Sequence, residues 1–385
     1  MALEPRTLDQ HLDPKLGPKR ILTLDGGGIR GAMTLEYLAG IEDLLRKRQG
    51  GDPAFRLCHY FDLIGGTSTG AIIAACLALG KSVDEVREAY EELGHQVFQR
   101  RFWRLGVFKA KFDAEALEAA LRYQLGENTT LGGSELLTGL LVVLKRFDTG
   151  SPWPLTNNPE GTFYRDTMGE GWFSNADYPL WRVVRASTAA PSYFKPVELI
   201  VEPGGKPGTF VDGGVSTANN PSLQALQVVL LDGFRWNWRP GDKELLLISV
   251  GTGRTNPERI AKRIAGQHAL ESLLALMEDC STLVETQMQW LSQSSSAREI
   301  DIEIGNLQND LLTERPLLTY HRYDVEFSQK WIGKNLPEAG LSDRQLTRLS
   351  AMDDPRNISL LQDVGRMAGA KQIDEQHFPA GFDLR

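Results

Sequence analysis

Three short glycine-rich strings hold the side chains of this sequence best placed to do chemistry: Asp25 to Gly31 (DGGGIRG), Gly66 to Gly70 (GTSTG) and Asp212 to Gly214 (DGG). Ser68 lies between Gly66 and Gly70 in a GxSxG pattern, just after one apolar run and just before another. A serine on a sharp strand-to-helix turn stands exposed over the helix N-terminus, and the turn admits only small residues two positions either side. That is the setting of an activated nucleophile. The competing reading is a glycine-rich turn in which Ser68 merely caps the helix, a role that serine fills well.

In the first string, Gly26, Gly27 and Gly28 precede a helical pattern. Backbone N–H groups exposed at the positive end of a helix dipole can hold a negative oxygen. Arg30 would stand in the first helical turn and oppose that dipole, so an anionic group is expected beside it. With Gly31 the string also satisfies GxGxxG, the dinucleotide fingerprint. A dinucleotide site, however, wants an acidic residue about 20 positions on, at the end of the next strand. The sequence offers RKRQGGDPAF there, which reads as helix end and loop.

A serine nucleophile needs a base. Asp212 closes an apolar strand, and Gly213 and Gly214 after it leave its carboxylate little covered; an Asp-Gly hairpin turn is the structural alternative. An α/β-hydrolase would instead supply a histidine downstream of its acid. The histidines after Asp212 are His268, His321 and His377. His268 opens an amphipathic helix, His321 lies in an apolar-rich strand and His377 is near the C-terminal end, and none has a glycine or turn context that marks it.

Elements must carry these strings to one place. The run from Arg20 to Leu24, the glycines, and Met33, Tyr37, Leu38, Ile41, Leu44 and Leu45 at helical spacing read as strand, turn and helix. Phe61 to Ile64 and Ala71 to Leu79 repeat the unit. Two such units imply a parallel sheet with helices packed on it, and further strands are expected at 139–147, 209–214 and 244–253. The fold class is therefore α/β, with a mainly parallel central sheet flanked by helices. Residues 148–179, rich in Gly, Pro and Asn, read as a long covering loop. After Gly253 the pattern becomes mainly helical, with one strand at 317–327, so a helical C-terminal layer is expected. The division is an N-terminal extension (1–19), a catalytic domain (20–255) and a helical region (256–385) packed on that same domain.

The 385 residues are 41% hydrophobic and carry a net charge of −8, which disfavours a general nucleic-acid binder. Cys58, Cys76 and Cys280 form no CxxC pair and suggest neither a disulfide framework nor a zinc site. No apolar leader or run of about 20 apolar residues occurs, so a cytoplasmic protein is expected. Residues 96–112 hold five Lys or Arg, four Phe and one Trp with no acid, a composition that suits peripheral contact with anionic lipid at the inner membrane or, equally, an aromatic cluster with solvated charges.

DGGGIRG, GTSTG and DGG in that order, with ASTAAPSYFKP (186–196) before the last, strongly resemble the patatin-like phospholipases over about residues 20 to 255. The resemblance implies a lipid acyl hydrolase with a Ser-Asp dyad. Ser68 would be the nucleophile and Asp212 its base, while Gly27, Gly28 and Arg30 would line the oxyanion site. It implies a phospholipid or other acyl lipid as substrate and no metal or cofactor. Gly213-Gly214 stands where the family often has Gly-Ala. Two alternatives stay open: a non-catalytic lipid-binding relative, and a phospholipase of bacterial antiviral defence gated by a cyclic nucleotide, for which the sequence marks no messenger pocket.

Overall fold

A computed structural model describes residues 5–97, 114–165, 171–255 and 268–384. Nine strands form one sheet: β1 (Lys19–Leu24), β2 (Leu63–Thr67), β3 (Gly139–Arg146), β4 (Ser151–Thr156), β5 (Val197–Glu202), β6 (Lys206–Asp212), β7 (Leu245–Val250) and, beyond the short β8 (Arg254–Thr255), β9 (Ser292–Gln293) and β10 (Leu318–Tyr323). Their order is β5-β6-β3-β2-β1-β7-β10-β9, with β4 also on β3. β3, β2, β1, β7, β10 and β9 are parallel, whereas β4, β5 and β6 pair antiparallel. β8 pairs separately with β11 (Glu326–Phe327).

The helices are α1 (Leu8–Leu12), α2 (Gly31–Arg48), α3 (Leu57–Tyr60), α4 (Thr69–Ala78), α5 (Val83–Val97), α6 (Ala114–Leu125), α7 (Leu180–Ser187), α8 (Ser222–Leu230), α9 (His268–Leu291), α10 (Gln329–Asn335), α11 (Asp343–Leu349) and α12 (Ile358–Gln372). Side chains alternate across the strands with period two. Leu22, Leu24, Ile64 and Leu246 therefore join the core beneath α2, α4 and α12, while Ile21, Leu63, Leu141 and Leu247 meet α8 and α9 on the other face. Covered on both faces, β1, β2 and β7 are buried along their whole length, which is why they read as continuous apolar runs. α4 is buried at every position, as its almost wholly apolar sequence requires.

Three local expectations shift. β2 starts at Leu63 rather than Phe61 and runs through Gly65 and Gly66, because pairing with β1 and β3 on both edges overrides the poor strand propensity of glycine. The stretch at 148–179 is not all loop: β4 pairs with β3 along Leu141–Arg146. Pro152 and Pro154 hid it, and they are tolerated because β4 is an edge strand. The strand expected at 317–327 splits into β10, inside the central sheet, and β11. α12 packs against α2, so the C-terminal residues complete the layer begun by the N-terminal ones. From residue 98 onward the basic, aromatic stretch 96–112 lies outside the described residues. Among the described residues no helix is long and apolar enough to cross a membrane.

Candidate active site

The sheet brings two of the three strings together. β4 occupies one edge of β3 along Leu141–Arg146, so β2 and β6 share the other. β2 follows that edge as far as Val143, opposite Thr67; β6 takes over at Leu144, opposite Asp212. The chain thus leaves both strands at one point, and the Ser68 hydroxyl donates to Asp212 Oδ2 at 2.6 Å.

Ser68 has φ +54° and ψ −122°. Such a conformation costs a non-glycine residue on the order of 1–3 kcal/mol and needs external support. The Ser68 amide donates to Ser187 Oγ at 2.9 Å, and that hydroxyl donates to the Val143 carbonyl at 2.7 Å. Sterics explain the flanking glycines: a Cβ on Gly66 would lie 2.1 Å from the Gly70 carbonyl oxygen, and one on Gly70 would lie 2.2 Å from that of Leu24. Ser68 stands at the N-cap of α4, yet its side chain makes no capping bond. The hydroxyl goes to Asp212 instead, which disposes of the capping reading.

No hairpin follows Asp212. It caps a single 3-10 turn, Gly213–Val215, where Oδ1 accepts the Gly214 amide at 2.7 Å. A Cβ on Gly213 would sit 2.2 Å from the Val143 carbonyl oxygen, and one on Gly214 would crowd Asn219 and Asp212 itself. Burial pushes the Asp212 carboxyl up to about 6, against the opposing pull of its bonds from Ser68 and Gly214. A carboxylate of that basicity is ionised at neutral pH and accepts a proton more readily than an exposed one.

The glycine string is anchored by its carbonyls. That of Gly26 accepts Thr252 Oγ1 at 3.0 Å, that of Gly27 accepts the Arg30 amide at 3.2 Å, and that of Gly28 accepts Thr69 Oγ1 at 3.1 Å and the Tyr90 hydroxyl. Trans peptides point N–H opposite to C=O. The Gly27 and Gly28 amides are left, among the described residues, without a protein acceptor, in the wall of the cavity that holds Ser68. Gly28 adopts φ +57°, and a Cβ there would meet the Met352 carbonyl oxygen at 2.3 Å. Gly26 and Gly31 are equally confined, by Asn219 and by Thr69 and Tyr90. The fingerprint alternative loses its acid: β2 ends on Thr67 where the ribose-binding carboxylate would stand.

Arg30 does not line this cavity. Its guanidinium is buried behind the glycines with Nη1 3.8 Å from Glu278 on α9, the anion that its helix position called for. Burial lowers its pKa, with Glu278, Asp324 and Asp25 opposing. Of the candidate histidines, the side chain of His268 lies outside the described residues, and the other two lie away from Ser68. His321 bonds Ser296 Oγ at 2.8 Å and stacks on His377, which bonds the Tyr323 hydroxyl at 2.9 Å. Burial drives His321 down to about 3, so it is neutral. Among the described residues no histidine lines the cavity.

Several participants were not evident from sequence. Ser187 holds the elbow, the Asn219 carbonyl accepts the Gly26 amide at 3.2 Å, and Arg322 grips Asp25. Ser187 falls inside the ASTAAPSYFKP string, but nothing local marks its role, and Asn219 and Arg322 lie outside every motif. The STAAPSYF stretch supplies Thr188, Ala190, Pro191, Tyr193 and Phe194 to the cavity wall. Ile72, Leu93, Val97 and Leu117 form an apolar side, and Leu274, Met277 and Met352 of the C-terminal region close it. An apolar cleft with one nucleophile and two free amides suits an ester on an acyl chain. Among the described residues no cluster of His, Cys, Asp or Glu could hold a metal, and the three cysteines are unpaired.

The model of the patatin-like phospholipase family matches residues 22–226. Over 378 residues the chain is 28% identical to a cGAMP-activated phospholipase of Vibrio cholerae, covering 94% of each protein. It is 29% identical over 277 residues to a probable inactive patatin-like protein of Arabidopsis thaliana, covering 68% of each. A second cGAMP-activated phospholipase, from Escherichia coli, is 30% identical over 240 residues, covering 60% of this chain and 62% of that one. With the family model matched over more than half its length, the chain belongs to the patatin-like phospholipases and is a lipid acyl hydrolase.

Proposed function

We propose that this hydrolase cleaves carboxylic esters of phospholipids with Ser68 as nucleophile and Asp212 as its only base. The observation that carries the reading is the 2.6 Å hydrogen bond from Ser68 Oγ to Asp212 Oδ2 at the floor of an apolar cleft. Asp212 takes the hydroxyl proton as Ser68 attacks the ester carbonyl. The Gly27 and Gly28 amides, with the first-turn amides of α4, receive the oxyanion. Arg30 adds positive potential from behind the loop rather than by contact. Collapse expels the alcohol, which recovers the proton from Asp212. Water, deprotonated by the same carboxylate, then releases the fatty acid from the acyl-serine.

In this reading residues 20–255 carry the dyad and 256–385 complete the cleft through Leu274, Met277 and Met352. Purified protein incubated with phospholipid vesicles should release free fatty acid and lysophospholipid. A fluorophosphonate should label the Ser68 peptide and stop the release. Fatty acid release that persists after full labelling at Ser68 would place the nucleophile elsewhere.

One observation favours a regulated form of the same enzyme. The similarity to the cGAMP-activated phospholipase of Vibrio cholerae spans 94% of both chains and so extends through the C-terminal region, beyond the family match at 22–226. Adding cyclic GMP-AMP to the vesicle assay separates a gated enzyme, active only with the messenger, from a constitutive one. Contact with the vesicle surface through 96–112 is read from the same assay by sedimentation of a variant neutralised at Arg100, Arg101 and Arg104.

A further inference from the structure

Two neighbouring cations end β3, and the structure treats them differently. Arg146 is neutralised by Asp148 and Glu202 at 2.8–3.1 Å. Lys145 has no carboxylate partner among the described residues; its ammonium group donates to the Val215 carbonyl at 2.9 Å. An ammonium has three donors, and one acceptor leaves two of them to solvent or ligand.

Lys145 lines a second cavity, mainly apolar, together with Pro152, Gly214, Val215, Leu276 and Met277. Val215 and Met277 also wall the catalytic cleft, so the two cavities adjoin. The backbone fixes their relation. Leu144 is the register partner of Asp212 and Lys145 that of Val211. Asp212 and Val215 are joined by one 3-10 turn, a rise of about 6 Å. A half-buried cation therefore stands one turn from the catalytic carboxylate, beside an apolar wall that weakens its screening. In a glycerophospholipid the phosphate is likewise separated from the acyl esters by a single glycerol unit.

We infer that Lys145 is the phosphate anchor of this enzyme, holding the phosphodiester of a glycerophospholipid while the scissile ester lies at Ser68, and that it sets a preference for phosphoglycerides over neutral glycerides. The inference rests on the Ser68 reading above. Lysine suits the task as a compact point charge for phosphate.

The test compares kcat/KM for a short-chain diacyl phosphatidylcholine with that for the diacylglycerol of the same chains. Lys145→Met should lower the ratio of the two by about tenfold or more, the loss of one charged hydrogen bond, and Lys145→Arg should restore most of it. The ratio is independent of the folded fraction, so a poorly folding variant still reports. A ratio unchanged in Lys145→Met overturns the inference, as does a loss that Lys145→Arg fails to rescue. A second arm needs no hydrolysis: calorimetric binding of a non-cleavable diether phosphatidylcholine to the Ser68→Ala protein. Adding Lys145→Met should weaken that Kd about tenfold and leave binding of the matching diether glycerol alone. If the wild-type protein cleaves neither ester, with or without cyclic GMP-AMP, the Ser68 reading fails, and the diether Kd still decides Lys145: an unchanged value overturns it.

Discussion

Arg322 on β10 grips Asp25 at the end of β1 with both terminal guanidinium nitrogens, at 2.9 and 2.6 Å, and both side chains are almost wholly covered. The residue that opens the glycine string is thus held by a strand almost 300 positions downstream. The same Arg322 reaches Asp324 at 2.9 Å, and Asp324 accepts the Gly253 amide at 2.8 Å. Removing one partner of a buried ion pair strands the other, at a cost of about 3–5 kcal/mol. Arg322→Met should lower unfolding free energy in a urea titration by about that amount, and turnover should fall with it as the Gly27 and Gly28 amides lose their alignment.

The strained backbone at Ser68 predicts an inverted order of stability. Glycine is ordinarily the less stable residue beside alanine. At φ +54° a Cβ is the liability, so Ser68→Gly should be more stable than Ser68→Ala by about 1 kcal/mol. Both variants lose the bond to Asp212 equally, so the difference reports backbone strain alone. Thermal melts of the two proteins, each inactive, give it directly.

Gly28→Ala tests the link between the glycine string and the C-terminal region. The new Cβ would collide with the Met352 carbonyl oxygen at 2.3 Å while the backbone keeps φ +57°. A loss of about 1–3 kcal/mol in stability is expected, together with a larger proportional loss in kcat than in KM, because the displaced amide serves the transition state more than the bound substrate.

Asp212 sets the pH dependence. Only its ionised form accepts the Ser68 proton, so kcat/KM should rise with pH to a midpoint of about 6 and level off above it. The stability effect has the opposite sign. A carboxyl raised from 3.8 to about 6 on folding binds its proton more tightly in the native state, so its contribution is full below the unfolded value and is lost as pH rises through the native one. Wild type should therefore lose more stability than Asp212→Asn between about pH 4 and about pH 7, a comparison in which the other buried carboxyls cancel.

The site was legible in sequence where backbone sterics dictate residue type. Gly66, Gly70 and Gly213 are glycines because a Cβ would strike a carbonyl oxygen, and such constraints leave a local mark. Asp212 was legible for the same reason. What positions these groups was not: the handover from β2 to β6 on one edge of β3 is a property of pairing between segments 145 positions apart, with no local signature. Ser187, Asn219, Arg322 and the Met352 carbonyl act across tertiary contacts, and residues of those types are common in any chain. β4 was concealed by Pro152 and Pro154, which are poor strand formers except at an edge, and edge status is decided by the rest of the sheet.

The claim that Asp212 alone serves Ser68 as base is tested most directly by fatty acid release from phospholipid vesicles, measured on four folded variants beside wild type. An amide of nearly the same shape cannot take the proton. Asp212→Asn should therefore fall by orders of magnitude, to the level of Ser68→Ala, as members of one catalytic unit do. His321→Ala and His377→Ala, whose rings lie outside the cleft, should retain substantial release. A folded histidine variant as inactive as Ser68→Ala, or an Asp212→Asn protein that still turns over near the wild-type rate, would contradict the dyad.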